Sequence, residues 1–367
     1  MLKFFRYVFG PLFLIVACPL FAIMMWYTNT ALNGSFAALG TLFRQQGITA
    51  TILQIELPVV FGSALAWKII FIFAVFQLAL MRILPGKEFL GPVTPKGNVP
   101  VYKANGVLAF FTTLSVFCLA SFICGFFPAS IIYDNLGAIL GALNLFSLVL
   151  CGLLYLKGRY APSSTDASHT GNFIFDYYWG TELYPRVLGW QIKKFITCRF
   201  GMMSWGLILL SYAAKQQSIY GFISNSMLIS VALQLVYITK FYVWETGYLR
   251  SLDIMHDRAG FYICWGCLVW VPCIYTSPGM YLVMHPVELG TMTAVSIFTL
   301  GVLSILINYL ADRQRQRVRA TQGNCKVWGK RPLITVATYQ TEQGETKQNI
   351  ILASGWWGVA RHFHYIP

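Results

Sequence analysis

Apolar residues run in long blocks along this chain, and short polar intervals separate them. Eight blocks come close to the ~20 residues that a helix needs to cross a hydrocarbon core. They predict membrane-spanning helices at 9–28, 63–84, 106–127, 137–156, 201–214, 220–243, 261–284 and 290–310, the fifth of them short. The opening Met-Leu-Lys-Phe-Phe-Arg before an apolar run resembles the start of a signal peptide. The run continues instead into Met24, Met25, Trp26 and Tyr27 without a small-residue cleavage site, which predicts a retained first helix. Between Asn324 and Ala353 the pattern changes to alternation on either side of Glu342–Glu345, predicting two strands and a tight turn. The longest polar interval, 158–200, is too short and too aromatic to build a core of its own, and 85–100 is the other sizeable loop. The expected fold is an all-α polytopic membrane protein with a transmembrane domain over 1–310. A basic segment with a small hairpin follows over 311–367.

Composition agrees with this class. Hydrophobic residues make up 57% of the 367 positions and charged residues 11%, where a soluble domain carries about 25% charged residues. The net charge of +14 is unevenly placed. With Lys3 and Arg6 inside, the loops after the second, fourth, sixth and eighth spans also fall inside. These carry Lys87, Lys96 and Lys103; then Lys157, Arg159, Arg186, Lys193, Lys194 and Arg199; then Arg250 and Arg258; then an arginine run. The alternate loops hold chiefly Arg44 and Lys215. That is the positive-inside rule, with the N-terminus cytoplasmic, and it explains the charge excess without nucleic acid as a partner. Nine cysteines lie mostly within apolar spans, where free cysteine behaves as a small hydrophobe. Cys264 and Cys267 have redox spacing, but they sit inside an expected membrane helix.

Three polar groups among the apolar spans are candidates for chemistry. The first is Gly171-Asn-Phe-Ile-Phe-Asp176-Tyr-Tyr-Trp-Gly180-Thr-Glu182-Leu-Tyr-Pro185-Arg186. An interfacial aromatic belt accounts for its tyrosines and Trp179, but not for its acidic residues and turn-formers. The second runs from Tyr237 through Lys240, Trp244, Glu245 and Tyr248 to Asp253, His256 and Asp257. Glu245 lies three residues before Tyr248 and about two turns before Asp253, so these residues are expected on one helix face. One histidine between two carboxylates is a weak metal motif, and no metal is expected. The third group is the tail: Arg313, Arg315, Arg317 and Arg319, then Gly355-Trp-Trp-Gly358 and Arg361-His-Phe-His-Tyr365. A juxtamembrane arginine run alone is as readily an orientation signal or lipid patch. The indoles and imidazoles downstream favour a phosphorylated aromatic ligand, since guanidinium forks match phosphate and flat rings need apolar walls. No Gly-x-Gly-x-x-Gly follows a strand and no Gly-Lys-Ser/Thr loop is present, which excludes a Rossmann domain or P-loop for that ligand.

At these three groups the chain resembles the sterol reductase family. The first group matches that family's first signature. Residues 244–276, 352–367 and the stretch Asn98–Gly106 look most like its delta-7 branch, and the similarity extends from about Pro85 onward. The resemblance implies NADPH-dependent reduction of a sterol carbon–carbon double bond, the sterol entering from the bilayer. The delta-7 bond is expected first. A bond at C14 or C24, or a non-catalytic sterol-binding remnant, are the alternatives. Matching positions imply Arg315 and Arg319 for cofactor phosphates, Trp357 against the cofactor, and Arg361, His362 and Tyr365 lining its pocket. Tyr237 would act in proton donation, assisted by a carboxylate for which Glu245 is the candidate. An unactivated alkene needs a proton donor as well as a hydride, in a site that excludes water. Family members have ten helices and a C-terminal motif ending Lys-Tyr-Gly-x-x-Trp. That motif does not occur before Pro367, so a C-terminally shortened reductase is expected. The membrane would be the endoplasmic reticulum in a eukaryote or the inner membrane in a bacterium, with lipids and sterol as partners. A transporter is a weaker reading, because few ionisable residues, chiefly Lys68 and Lys240, interrupt the spans and no broken-helix repeat is apparent.

Overall fold

The computed structural model describes residues 2–94, 96–340 and 346–366. Among these, eight helices are long and apolar enough to cross a membrane: Phe5–Ala31, Ala64–Ile83, Gly106–Ile123, Leu136–Tyr160, Ile192–Tyr220, Asn225–Val243, Phe261–Met284 and Thr291–Ala320. The chain divides into two compact units, Met1–Leu289 and Gly290–Pro367.

In the first unit, seven spans share one apolar core, and the fifth is the most enclosed, 78% buried. That helix was expected as a short segment at 201–214. It reaches back to Ile192 because Ile192, Phe195, Ile196 and Phe200 keep its apolar face going through the cations between them. Lys193, Lys194 and Arg199, expected in a basic loop, are therefore buried inside the helix bundle. The stretch Phe195–Gly201 is a wide π-helical turn, and Gly266–Tyr275 of the seventh span is another, containing Pro272. At Gly201 the two spans touch through backbone: a Cβ there would lie 2.6 Å from the Cys267 carbonyl. Between the first two spans the chain folds into two further helices, Phe36–Gln46 and Ile48–Glu56, which the hydropathy pattern does not mark as separate elements.

The polar loops are ordered by short hairpins. Strand β1 (Lys87–Leu90) pairs antiparallel with β2 (Val101–Ala104), and β3 (Arg186–Val187) pairs with β4 (Trp190–Gln191). No loop has a core alone, but together they do. Tyr102, Leu249 and Ile254 are buried against one another, with Phe89, Tyr184 and Tyr248 packed around them.

The first signature serves as wiring for these loops. Asn172 caps the helix Phe173–Trp179 by accepting the Phe175 N–H at 3.1 Å. Asp176 accepts from the Thr170 backbone N–H at 2.9 Å and from its hydroxyl at 2.8 Å. Glu182 accepts from Lys157 at 2.7 Å and from the Ser163 N–H at 2.6 Å. Gly180 has φ +96° and presses on Gly260, where a Cβ would lie 2.2 Å from the Gly180 nitrogen. Only glycine permits that backbone contact.

In the second unit, the helix Thr291–Ala320 carries the arginine run, which was expected to lie beyond a span ending at 310. Strands β5 (Ile334–Gln340) and β6 (Thr346–Leu352) pair in the register Ile334↔Leu352 to Gln340↔Thr346. This is the hairpin that alternation predicts; its turn, 341–345, lies outside the described residues. Val318, Val327 and Leu352 form the core of this unit, with Trp357 and Ile350 against it.

Candidate functional site

In the first unit, a buried charge network joins the ends of four spans. Glu245 sits just after the sixth span and is 3% exposed. Its Oε1 accepts from Arg199 Nη2 at 2.7 Å and lies 3.5 Å from Lys194 Nζ. Its Oε2 accepts the Gly106 N–H at 2.8 Å, one of the donors left unpaired at the start of the third span. Gly106 is required at that place, since a Cβ would meet Tyr242 at 2.5 Å and Glu245 Oε2 at 2.7 Å. Asn105 completes the network. Its Oδ1 accepts from Arg199 Nη2 at 2.8 Å. Its Nδ2 donates to the carbonyls of Leu80, Met81 and Leu84 at 3.4, 3.3 and 3.1 Å, at the end of the second span where helical carbonyls run out of backbone donors. Tyr242 donates to the Cys198 carbonyl at 2.5 Å, with the Arg199 guanidinium 5.8 Å from its ring centre. A cavity of about 400 Å3 opens beside Asn105, Gly106, Phe111, Tyr242 and Glu245.

Tyr237, the other expected proton-delivery residue, lies on the sixth span and is 39% exposed. Its ring is 5.8 Å from that of Trp205 and 5.9 Å from Lys240 Nζ. The expected common face for Glu245 and Asp253 does not form. Glu245–Tyr248 and Leu252–Met255 are separate single turns. Burial pushes the Asp253 carboxyl up, and the nearby Asp257 carboxylate adds to it. His256 pairs with Asp257 at 2.9 Å. Among the described residues, no three His, Cys, Asp or Glu side chains gather as metal ligands.

The six tail residues belong to the second unit. The Arg315 guanidinium lies 4.4 Å from the Trp357 ring centre, and its Nη2 meets Asp312 at 3.0 Å. Trp357 donates its indole N–H to the Ala311 carbonyl at 2.8 Å, and Arg319 reaches the Ile350 carbonyl at 3.4 Å. Gly355, at φ +62°, lets the chain turn close to Gln314, whose Oε1 accepts the Trp356 N–H at 3.0 Å. Trp356 stacks on Phe363 at 4.9 Å and His362 on Tyr365 at 5.7 Å. Arg361, His362 and Tyr365 are exposed. Arginines, indoles and imidazoles thus share one small unit, and their donors are chemically suited to phosphates and a flat heterocycle.

Sequence reasoning missed Asn105, Lys194 and Arg199. The available signal was the apolar helical spacing that continues through 192–200, which places those cations inside a span.

The fold and these two clusters define a multi-pass helical membrane protein with a buried ion network and a basic, aromatic C-terminal unit. Residues 5–367 match the family described as Ergosterol biosynthesis ERG4/ERG24. The chain is 52% identical over 355 residues to the 7-dehydrocholesterol reductase of Arabidopsis thaliana, covering 96% of this chain and 81% of that protein. It is 37% identical to the 7-dehydrocholesterol reductase of Xenopus laevis, covering 82% and 65% of the two chains. It is also 36% identical to the Delta(14)-sterol reductase of Methylotuvimicrobium alcaliphilum, covering 79% and 65%. The chain belongs to the ERG4/ERG24 sterol reductase family.

Proposed function

We propose that this protein reduces the delta-7 carbon–carbon double bond of a sterol of the 7-dehydrocholesterol type, using NADPH. The observation that carries the proposal is the 52% identity, along 96% of this chain, to a plant protein bearing that name. The delta-14 relative is less similar, at 36%, so reduction at C14 is the competing outcome.

The donor set of the C-terminal unit fits NADPH. Arg315 and Arg319 are assigned to its phosphates, Trp357 to its flat surface, and Arg361, His362 and Tyr365 to the pocket around it. NADPH supplies a hydride for the electron-poor carbon. The protein's own task is to add a proton to the other alkene carbon and to keep water out. Tyr237 is assigned to that proton, which leaves its phenol oxygen for the sterol carbon and is replaced from solvent. Glu245 supports this step by fixing the ends of the second, third and sixth spans, since both its oxygens already accept hydrogen bonds. In this reading residues 1–310 hold the sterol and 311–367 contribute to the cofactor pocket. The N-terminus is cytoplasmic by the charge bias of the loops, and the membrane is the endoplasmic reticulum or a bacterial inner membrane.

The test is incubation of membranes containing the protein with NADPH and 7-dehydrocholesterol. Loss of the conjugated-diene absorbance is expected. An unchanged diene alongside reduction of a delta-14 sterol would overturn the delta-7 assignment. Arg315→Ala with Arg319→Ala should weaken NADPH more than NADH; equal losses would remove these arginines from the 2′-phosphate.

A further inference from the structure

A second basic site lies in the first unit, next to the Glu245 network, with which it shares Lys194. A cavity of about 450 Å3 is bounded by Arg82, Lys103, Arg186 and Lys194, against the single carboxylate Glu88. Lys194 already shares its charge with Glu245. Among the described residues, Arg82, Lys103 and Arg186 have no carboxylate partner. Lys103 donates to the Arg82 carbonyl at 3.0 Å and Arg186 to that of Val101 at 3.4 Å. The Arg82 guanidinium is 5.5 Å from the Trp190 ring centre. Glu88 stands directly across the β1–β2 pair from Lys103, which leaves the guanidinium groups of Arg82 and Arg186 without a facing carboxylate, and a bound anion relieves their repulsion.

The β3–β4 turn supplies an independent observation. Leu188 has φ +50° and Gly189 has φ +81°. A two-residue turn of this kind favours Gly, which has no Cβ, or Asn and Asp, whose short polar side chains bond the local backbone, and an apolar side chain is strained at its first place. Leucine occupies it and packs on almost nothing, being 89% exposed, with Val187 beside it at 42%. An apolar tip held open in this way is accounted for when its surroundings are hydrocarbon. The tip lies at the right place: a Cβ on Gly189 would stand 3.6 Å from Arg82, in the last turn of the second span. Ile83, next in that span, is 75% exposed. Trp190 at the same level is where indoles collect in membranes.

We propose that this cavity binds the phosphate of an anionic lipid headgroup, with Val187 and Leu188 inserted among the neighbouring acyl chains. The guanidinium forks of Arg82 and Arg186 provide the phosphate contacts. The apolar tip distinguishes lipid-borne phosphate from the free ion. The proposal does not rest on the sterol reduction proposed above.

The experiment uses the full chain reconstituted in phosphatidylcholine bilayers with phosphatidic acid as a minority lipid, followed by native mass spectrometry of retained lipid. Phosphatidic acid is expected above its share in the bilayer. Arg82→Gln and Arg186→Gln should each reduce that enrichment about fivefold. Leu188→Asn suits the turn, so it should keep or raise the melting temperature while lowering the enrichment. Unchanged enrichment in these variants overturns the proposal. In neutral detergent, inorganic phosphate should leave hydrogen exchange over 186–191 unchanged. Protection by inorganic phosphate equal to that by phosphatidic acid assigns the site to free phosphate and overturns the lipid.

Discussion

Arg199 and Glu245 meet at 2.7 Å in a place where neither reaches solvent, although 46 positions separate them along the chain. The arginine is fully buried, and its Nε and Nη1 find no protein acceptor. Lys194 and the start of the third span lean on the same carboxylate. Removing one partner of a buried pair leaves an uncompensated charge.

Glu245→Gln keeps the side-chain shape and removes the counter-charge of two buried cations. It should destabilise the first unit by about 3–5 kcal/mol. Replacing Arg199 and Glu245 together by methionine should recover part of that loss. Denaturant unfolding in detergent micelles compares the three proteins. A Glu245→Gln variant as stable as the parent would remove the network from the fold's support.

Glu56, at the end of the helix Ile48–Glu56, has its carboxyl pushed up from 4.5 to about 7 by burial. Its Oε1 has no hydrogen-bond partner. A raised carboxyl binds its proton more tightly when folded than when unfolded. Stability therefore falls as pH rises from about 4.5 to about 7 and stays reduced above that. Glu56→Gln should flatten this dependence and stabilise the protein at pH 8 by roughly 1–2 kcal/mol, with solvent screening of a partly exposed group allowed for. Melting temperatures of both proteins across this range provide the check.

Gly260→Ala sets a methyl against backbone on every near side: Gly180 N at 2.2 Å, Trp179 C at 2.5 Å and Tyr178 O at 2.6 Å. Backbone cannot give way as a side chain can, so the expected cost is about 3 kcal/mol or more. The contact between the first signature and the start of the seventh span should open. Faster proteolysis within 158–191 would show this opening, and unchanged cleavage would contradict it.

Gly355→Ala acts only on the second unit. The residue has φ +62°, and a Cβ would meet Gln314 at 2.3 Å and Val327 at 2.6 Å. Strain of about 1–3 kcal/mol is expected. It should loosen Trp356 and Trp357 from the helix that bears Arg315. Hydrogen exchange at Trp356 should rise, with NADPH affinity falling alongside. Faster exchange with unaltered NADPH affinity would separate Trp357 from the cofactor.

The pattern along the chain was enough to reveal the class, eight apolar spans and the paired strands β5 and β6. Hydropathy and alternation are local properties, and a membrane or a hairpin reads them locally. Partner choice is not local. Lys194 and Arg199 look like loop cations until the helix that carries them closes against Glu245 and Asn105. Glu182 and Asp176 look like reactive acids until the loops they tie together are folded. The loop aromatics Tyr102, Tyr184 and Tyr248 each appear stranded, yet they pool into one small core. The sequence by itself determined how many segments are apolar enough to cross a membrane and which family motifs the chain carries. Tertiary structure alone decided which charges are buried together, because a charge leaves water only where packing has already placed its partner.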